Sequence, residues 1–337
     1  MARGPRLDAP GTLHHVMVRG IERRRLFKSD RDREDFLDRL GKVLQQGQAR
    51  CFAWVLIPNH VHILLRTGPV PLARLMRRLL TGYAVTFNLR HQRSGYVFQN
   101  RYRSIVCEEN SYLLELVRYI HLNGIRAGLV KDVEQLDRYR WSGHSVIMGA
   151  VNRPWQAREE VLSHFGKRED VASKKYRQFI FEGVKFGKRK DLTPQVGSKD
   201  VGTANGRRSG DSRILGCDSF VEKILSKTER LERERLILKR KRVDLEGLME
   251  FIGKELGVTR EEIEGGSRRR DISKARSAFC YVCLRQLGVT GKRLSESLQV
   301  SPAGVHLAFM RGEVFVNGNE KFQKSLAIYL NNLSPSP

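Results

Sequence analysis

The sequence predicts an α+β domain with an antiparallel sheet, followed by an all-α domain that contains a helix-turn-helix. Two observations predict this fold class. A strand, a helix, a strand hairpin, a second helix and an extended stretch follow one another near the amino terminus, an order typical of α+β proteins. After a stretch rich in glycine, serine and positive charge, the apolar residues recur at helical spacing.

The predicted elements begin with a strand at residues 13–19. Ser29 or Asp30 can cap the helix that follows, because both side chains accept hydrogen bonds from backbone N–H groups at a helix start. The predicted hairpin joins residues 51–57 to residues 61–66. The apolar side chains of the capped helix recur at the spacing of one helix face: Phe36, Leu37, Leu40 and Leu44.

Two further helices and an extended stretch are predicted after the hairpin. A basic helix covers residues 72–90, the extended stretch covers 96–106, and a third helix covers 111–123. The third helix has an apolar stripe that suits a core, made by Leu113, Leu116, Val117 and Ile120. About 100° round from that stripe, a second line of residues runs along the helix: Tyr112, Glu115, Tyr119 and Asn123.

His60 and His62 flank Val61 in the second strand of the hairpin. Alternate residues of a strand share a face, so both imidazoles point to one side while Val61 points into a core. Such a pair also arises by chance and then binds nothing. Its position after a tight Pro58-Asn59 connection, in a very basic chain, favours the functional interpretation, which is a metal site.

The chain is strongly basic: 62 Lys and Arg against 37 Asp and Glu give a formal net charge of +25 over 337 residues. Such a charge attracts polyanions and releases their counterions on binding, so nucleic acid is the expected partner and an anionic membrane surface is the weaker alternative. No apolar stretch approaches the roughly 20 residues that span a bilayer, and residues 1–15 lack a signal core. We expect a cytoplasmic protein whose five scattered cysteines are reduced.

A metal bound by His60 and His62 would lack the cysteine or third histidine of a closed zinc site. An open site completed by oxygen atoms fits better. The side-chain carbonyl of Asn123, phosphate oxygens and water would then surround Mg²⁺ or Mn²⁺. Such an ion polarises a phosphodiester.

A tyrosine can serve as the nucleophile for reversible strand transfer, because a phenol with an ordinary pKa of about 10 leaves a phosphodiester more readily than an alcohol does. Tyr119 is preferred because it lies one helical turn from Asn123. Tyr83 is the rival, although its helix looks like a basic DNA-facing element. His121 lies about 200° from Tyr119 around the helix and is expected to pack or to face solvent.

Two motifs occur in order along the chain: Pro58-Asn59-His60-Val61-His62 and Val117-Arg118-Tyr119-Ile120-His121-Leu122-Asn123. With residues 15–20, 95–102 and 139–142, they make residues 8–150 resemble the single-tyrosine HUH transposases of the insertion-sequence-200-like group, and more narrowly the REP-associated tyrosine transposases. The resemblance implies a ferredoxin-like sheet and a divalent metal bound by His60, His62 and Asn123. It also implies attack by Tyr119 on single-stranded DNA, which leaves a 5′-phosphotyrosine and a free 3′-OH.

Arginines and aromatic residues cluster in sequence between the hairpin and the third helix. That composition suits a surface that tracks phosphates and stacks unpaired bases, although packing in the sheet explains the aromatic residues equally well. The arginines predicted to contact DNA in this domain are Arg74, Arg77, Arg78, Arg101 and Arg103.

Four segments are predicted along the chain: the transposase-like domain at 8–150, a helical extension at 151–184, a basic flexible linker at 185–213 and a helical DNA-binding domain at 214–320. The linker is assigned from its glycine, serine and positive charge and its lack of apolar residues. The last segment is assigned from apolar residues at helical spacing.

Residues 292–298 and 302–310 predict a helix-turn-helix with its turn at residues 299–301. Its second helix is available for a major groove. The region resembles the carboxy-terminal DNA-binding domain of the replication initiator DnaA through residues 265–270 and Ala275-Arg276, although residues 301–306 depart from that family's recognition sequence. Duplex DNA binding is therefore expected, with these basic residues: Arg268, Arg269 and Arg270.

The leading hypothesis is a metal-dependent transposase that cleaves and rejoins single-stranded or hairpin DNA in transposition. The alternative is a non-catalytic DNA-binding regulator with the same fold, which the basic charge and the helix-turn-helix also suit. A replication or conjugation nickase is a third hypothesis, disfavoured by the short first domain and the single candidate tyrosine. The sequence leaves open whether the chain forms a homodimer.

Overall fold

The computed structural model describes residues 7–187, 189, 192, 211, 213–240, 245–265, 267, 269–287 and 289–332. Arg268 and most of the predicted linker at 185–213 lie outside these residues. The chain divides into two units, Met1–Thr228 and Glu229–Pro337. No helix in the described ranges is both long enough and apolar enough to cross a bilayer.

The first unit is built on a sheet with the strand order β2-β3-β1-β4-β5. The first four strands pair antiparallel, and their order is that of a ferredoxin-like sheet, as predicted. The fifth strand pairs parallel to β4, so the complete sheet is mixed. The strands are β1 (Leu13–Arg19), β2 (Arg50–Ile57), β3 (His60–Arg66), β4 (Arg103–Cys107) and β5 (Ile214–Leu215).

Helices α1 (Asp30–Gln46) and α2 (Leu72–Arg90) cover one face of the sheet and share a hydrophobic cluster with Val61. The predicted inward direction of Val61 is therefore confirmed. Ser29 caps α1: its hydroxyl accepts a hydrogen bond from the backbone N–H of Asp32, and the Asp32 carboxylate accepts one from the backbone N–H of Ser29. This reciprocal capping box fixes where the helix begins.

The opposite face of the sheet is covered by helices from the second half of the unit. The apolar stripe predicted for α3 is buried against this face, and the neighbouring line that contains Tyr119 and Asn123 is half-buried beside it. These helices are α3 (Glu109–His121), α4 (Asn123–Arg126), α5 (Val133–Asp137), α6 (Gly143–Ile147), α7 (Arg158–Ser163) and α8 (Glu169–Glu182).

The structure differs from the sequence prediction at two strands. The extended stretch expected over 96–106 forms a ladder only from Arg103, while Phe98 makes an isolated bridge to Gly20. Ile214–Leu215 joins the sheet as β5, although the sequence placed it in the helical domain. A strand of two residues carries no readable alternation, so only its pairing with β4 identifies it.

Helix α9 (Asp218–Arg240) contains the boundary between the two units, and the second unit is helical beyond it. The predicted pair of helices is present, with Gln299 at a φ of 50° and Ser301 capping the second helix through a hydrogen bond from the Gly304 backbone. That second helix runs to Asn317, beyond its predicted end. The helices are α10 (Leu245–Leu256), α11 (Arg260–Glu264), α12 (Arg270–Val282), α13 (Gly291–Ser297), α14 (Pro302–Asn317) and α15 (Glu320–Asn332), with a π-helical turn at Cys283–Leu287.

Candidate active site

The candidate site lies on the face of the sheet covered by α3. Strand register places His62 opposite Met17 of β1, and Met17 opposite Arg103 of β4. Two residues further along β1, Arg19 lies opposite His60. Because directly paired residues of antiparallel strands project to the same side, the two predicted imidazoles share their face with two arginines.

A third imidazole completes this row. His15 of β1 is fully buried on the same face, and its Nε2 lies 2.9 Å from Nδ1 of His62. The Nδ1 of His60 donates a hydrogen bond of 2.8 Å to Oδ1 of Asn59. One nitrogen of each predicted ligand is thus held by a neighbour, which leaves Nε2 of His60 and Nε2 of His62 to face a ligand.

All three imidazoles are neutral at neutral pH. Burial lowers the pKa of His15 to about 3, with a further contribution from the Arg103 guanidinium. Burial lowers the pKa of His60 to about 4, and Arg19 acts in the same direction. Burial also holds the pKa of His62 well below its ordinary value. Since a metal ion binds the unprotonated ring, the folded protein presents these side chains in the form that a metal requires.

Tyr119 of α3 lies over this row of imidazoles. Its ring centroid is 5.9 Å from that of His15 and 6.2 Å from that of His62, and both contacts are edge-to-face. The buried stripe of α3 fixes this placement, because Tyr119 lies on the side of the helix next to that stripe. A phenol and two imidazoles from distant parts of the chain therefore meet at one place.

Asn123 begins α4, one turn after Tyr119. Its amide Nδ2 is buried and makes no hydrogen bond among the described residues. No group of three His, Cys, Asp or Glu side chains in these ranges is placed to hold a metal ion. The predicted set instead combines two imidazole nitrogens with one amide oxygen, and this donor chemistry suits an open, oxygen-completed site.

Arg126 is a cation beside Tyr119 that the sequence did not identify. Its guanidinium carbon lies 5.2 Å from the centroid of the Tyr119 ring, and its Nη1 donates a hydrogen bond of 3.1 Å to the Tyr119 carbonyl. His15 was also given no role from the sequence. Alternation along the predicted strand could have placed His15 on the same face as Arg19, but the register between strands was needed to bring it to His62.

Of the arginines predicted to contact DNA, those on α2 lie away from this row. Arg77 and Arg78 are exposed on α2, together with half-buried Arg74, and α2 packs on the other face of the sheet. Arg101 is exposed just before β4. In the second unit Arg269 and Arg270 are exposed, and Arg269 forms ion pairs with Glu262 and Asp271.

Tyr83, the rival nucleophile, is fully buried in the cluster beneath α2, where its hydroxyl donates to the Leu26 carbonyl. Burial raises its pKa far above the ordinary value. A buried phenol that is costly to ionise is unsuited to attack DNA. The geometry therefore favours Tyr119 over Tyr83.

A buried polar network supports α3 close to the site. The Tyr176 hydroxyl of α8 lies 2.7 Å from Nδ1 of His121 and 3.0 Å from Nδ1 of His144. Nε2 of His144 lies 2.7 Å from Asp137, which also pairs with Arg177. The prediction that His121 packs or faces solvent is resolved in favour of packing. The helical extension thereby fixes the end of the helix that carries Tyr119.

Residues 11–123 match the family model described as transposase IS200 like. A solved structure described as the structure of the REP associates tyrosine transposase bound to a REP hairpin is 16% identical to this chain. It covers 47% of this chain and 98% of its own, with a TM-score of 0.38. No curated protein gives a significant match. The segment from β1 to Asn123, which holds the imidazoles and Tyr119, is thus the part of the chain that matches the IS200-like transposase model.

Proposed function

We propose that this protein is a transposase that cleaves and rejoins single-stranded DNA through a covalent bond to Tyr119. One observation carries the proposal: the Tyr119 ring lies edge-on to His15 and His62 on the sheet face that also carries His60. The family match of residues 11–123 supports DNA transposition as the process.

In the proposed reaction, the Tyr119 oxygen attacks a phosphorus atom of the DNA backbone. The phenol gives up its proton, the bond from phosphorus to the 3′-oxygen breaks, and the 3′-oxygen takes up a proton. A 5′-phosphotyrosine and a free 3′-OH remain. Attack by a 3′-OH on the same phosphorus reverses these changes and releases the phenol. A phenol suits both directions because it is a good leaving group, so the bond stays exchangeable.

His60, His62 and Asn123 would hold a divalent metal ion, with Mg²⁺ or Mn²⁺ as the proposed ions. Bound there, such an ion would polarise the phosphodiester. The protein supplies two neutral imidazoles whose orientation is held by Asn59 and His15. Preformed ligands of this kind avoid the free-energy cost of ordering side chains when the ion binds.

DNA is the proposed partner of both units. Arg19 and Arg103 beside the imidazoles give the site a positive potential that favours a phosphate backbone. We propose single-stranded or hairpin DNA as the ligand there. For the second unit we propose duplex DNA, because α13 and α14 are consecutive helices joined by a tight turn and Arg269 and Arg270 are exposed.

This function can be tested by incubating the full chain with Mg²⁺ or Mn²⁺ and hairpin oligonucleotides. The oligonucleotides are taken from the DNA that flanks its own gene. A covalent protein–DNA adduct should form on denaturing gels with wild type and with Tyr112→Phe. Tyr112 is the matched control, since it lies half-buried on the same helix. Tyr119→Phe should form no adduct.

An adduct formed equally by Tyr119→Phe would overturn the assignment of the nucleophile. Tight hairpin binding by wild type without any adduct would favour the regulator. Cleavage without strand joining would favour a nickase, so the assay includes an acceptor oligonucleotide whose joined product has a different length.

A further inference from the structure

Arg126 is a partly buried cation with no carboxylate partner among the described residues. Burial lowers the pKa of its guanidinium, and the nearby Arg189 and Arg118 act in the same direction. Removing a cation from water without supplying an anion costs free energy. A ligand that carries a negative charge to Arg126 would offset this cost.

The carboxylate that pairs with Arg118 and Arg189 is already engaged. Glu115 accepts hydrogen bonds of 2.6 and 2.7 Å from Arg118, and it pairs at 3.2 Å with Arg189. Both of those arginines therefore share a carboxylate that does not reach Arg126. The surroundings of Arg126 are thus positive, and they adjoin the ring of Tyr119.

We propose that Arg126 binds the phosphate that Tyr119 attacks, and that it is a catalytic residue of this site. The inference rests on the proposed function, since it requires a DNA phosphate beside Tyr119. A guanidinium has five N–H donors, and one nitrogen of Arg126 is used on the Tyr119 carbonyl. The remaining donors form a planar fork that matches two phosphate oxygens.

The position also explains how one residue would serve both states of the reaction. Before attack, the guanidinium offsets the charge of the phosphodiester and of the developing phenolate. After attack, it holds the phosphate that is joined to Tyr119. No proton or electron is transferred by Arg126, whose guanidinium stays charged throughout.

A purely structural role is the competing explanation. A guanidinium that donates to the Tyr119 carbonyl also satisfies a backbone group at the end of α3, as basic side chains do at helix carboxyl ends. The two explanations differ in one respect: only phosphate binding depends on the negative charge of one particular phosphate in the DNA.

The test first maps the cleaved phosphate with wild type, then measures hairpin binding in the Tyr119→Phe background, where the DNA stays intact. Arg126→Gln should weaken binding by about 10- to 100-fold, the range for a charged hydrogen bond. It should also reduce the slope of log affinity against log salt by about 0.7, the value for one phosphate contact on single strands. Arg138→Gln is the matched control: Arg138 is exposed in the same unit, and its loss should leave affinity unchanged.

A second measurement separates the two explanations. A hairpin with a neutral methylphosphonate at the cleaved position lacks the charge that Arg126 would bind, so Arg126→Gln and its parent should bind it equally. The proposal would be overturned if Arg126→Gln bound the methylphosphonate hairpin as much more weakly than its parent as it binds the normal hairpin. It would also be overturned if the two proteins bound the normal hairpin equally. Arg126→Lys is the second variant, in case Arg126→Gln does not fold. It keeps the positive charge, so it should keep the salt slope and lose part of the single-turnover cleavage rate. A cleavage rate equal to that of wild type would also count against the proposal.

Failure of the function itself is distinguishable. If wild type cleaves no hairpin, the proposed function and this inference fall together. If wild type cleaves and Arg126→Gln cleaves at the same rate, only the inference falls.

Discussion

Replacing His15 by phenylalanine should weaken metal binding at the site although His15 is not a proposed ligand. The substitution fills a similar volume and removes the 2.9 Å contact between Nε2 of His15 and Nδ1 of His62. His62 then loses the neighbour that fixes its ring orientation and its tautomer. Loss of such a partner costs about 10- to 100-fold in metal affinity, or about 1.4–2.7 kcal/mol.

The neighbouring histidine provides a matched control. His14 is also fully buried, but it projects to the other face of β1, where its Nε2 lies 2.8 Å from the Thr12 hydroxyl. His14→Phe removes a hydrogen bond of the same kind and should leave metal affinity unchanged. Both variants should lose stability by about 1 kcal/mol, because each removes one buried hydrogen bond.

Isothermal titration with MnCl₂ measures the affinity, and urea unfolding measures the stability of each variant. The reasoning is refuted if His15→Phe binds Mn²⁺ as tightly as wild type does. It is also refuted if the two variants lose the same affinity, because the effect would then follow stability and not the contact with His62.

Three further predictions concern stability. Tyr176→Phe removes the hydroxyl between two buried imidazoles and should cost about 1–3 kcal/mol in urea unfolding; a loss within experimental error would show that this network does not support α3. Because burial lowers the pKa of His14 from 6.5 to about 4, the unfolded chain binds the proton more readily between these values. The contribution of His14 to the free energy of unfolding is therefore fully present above pH 6.5, and it decreases by about 3 kcal/mol as the pH falls toward 4. His14→Phe should lose less stability than wild type in unfolding measured across that range. An added Cβ at Gly312 would lie 1.9 Å from a backbone oxygen of α12, whereas at Gly304 its nearest contact is 3.4 Å. Gly312→Ala should therefore speed amide hydrogen exchange in α12 and α14, and Gly304→Ala should not; equal exchange in the two variants would contradict this packing.

Much of the first unit was predictable because its signals are local. The alternation through His60 and His62 determines that both lie on one face of a strand, and the spacing of apolar residues determines which side of α3 is buried. Tyr119 follows from the same spacing, since it occupies the line beside the buried stripe. Side-chain chemistry alone gave Ser29 and Asp30 as the two candidate capping residues, and the structure has Ser29 as the cap.

The sequence by itself determined the faces of the elements, the candidate nucleophile and the basic character of the chain. Only the tertiary structure decided which faces meet. The register of β1 against β3 brings His15 to His62, the pairing of β4 with β5 creates a strand of two residues, and the packing of α8 joins Tyr176 to His121. These contacts link residues far apart in the chain. A periodic pattern specifies only the direction in which a side chain points, whereas register and docking depend on the summed packing and hydrogen bonding of segments that the pattern does not relate to one another.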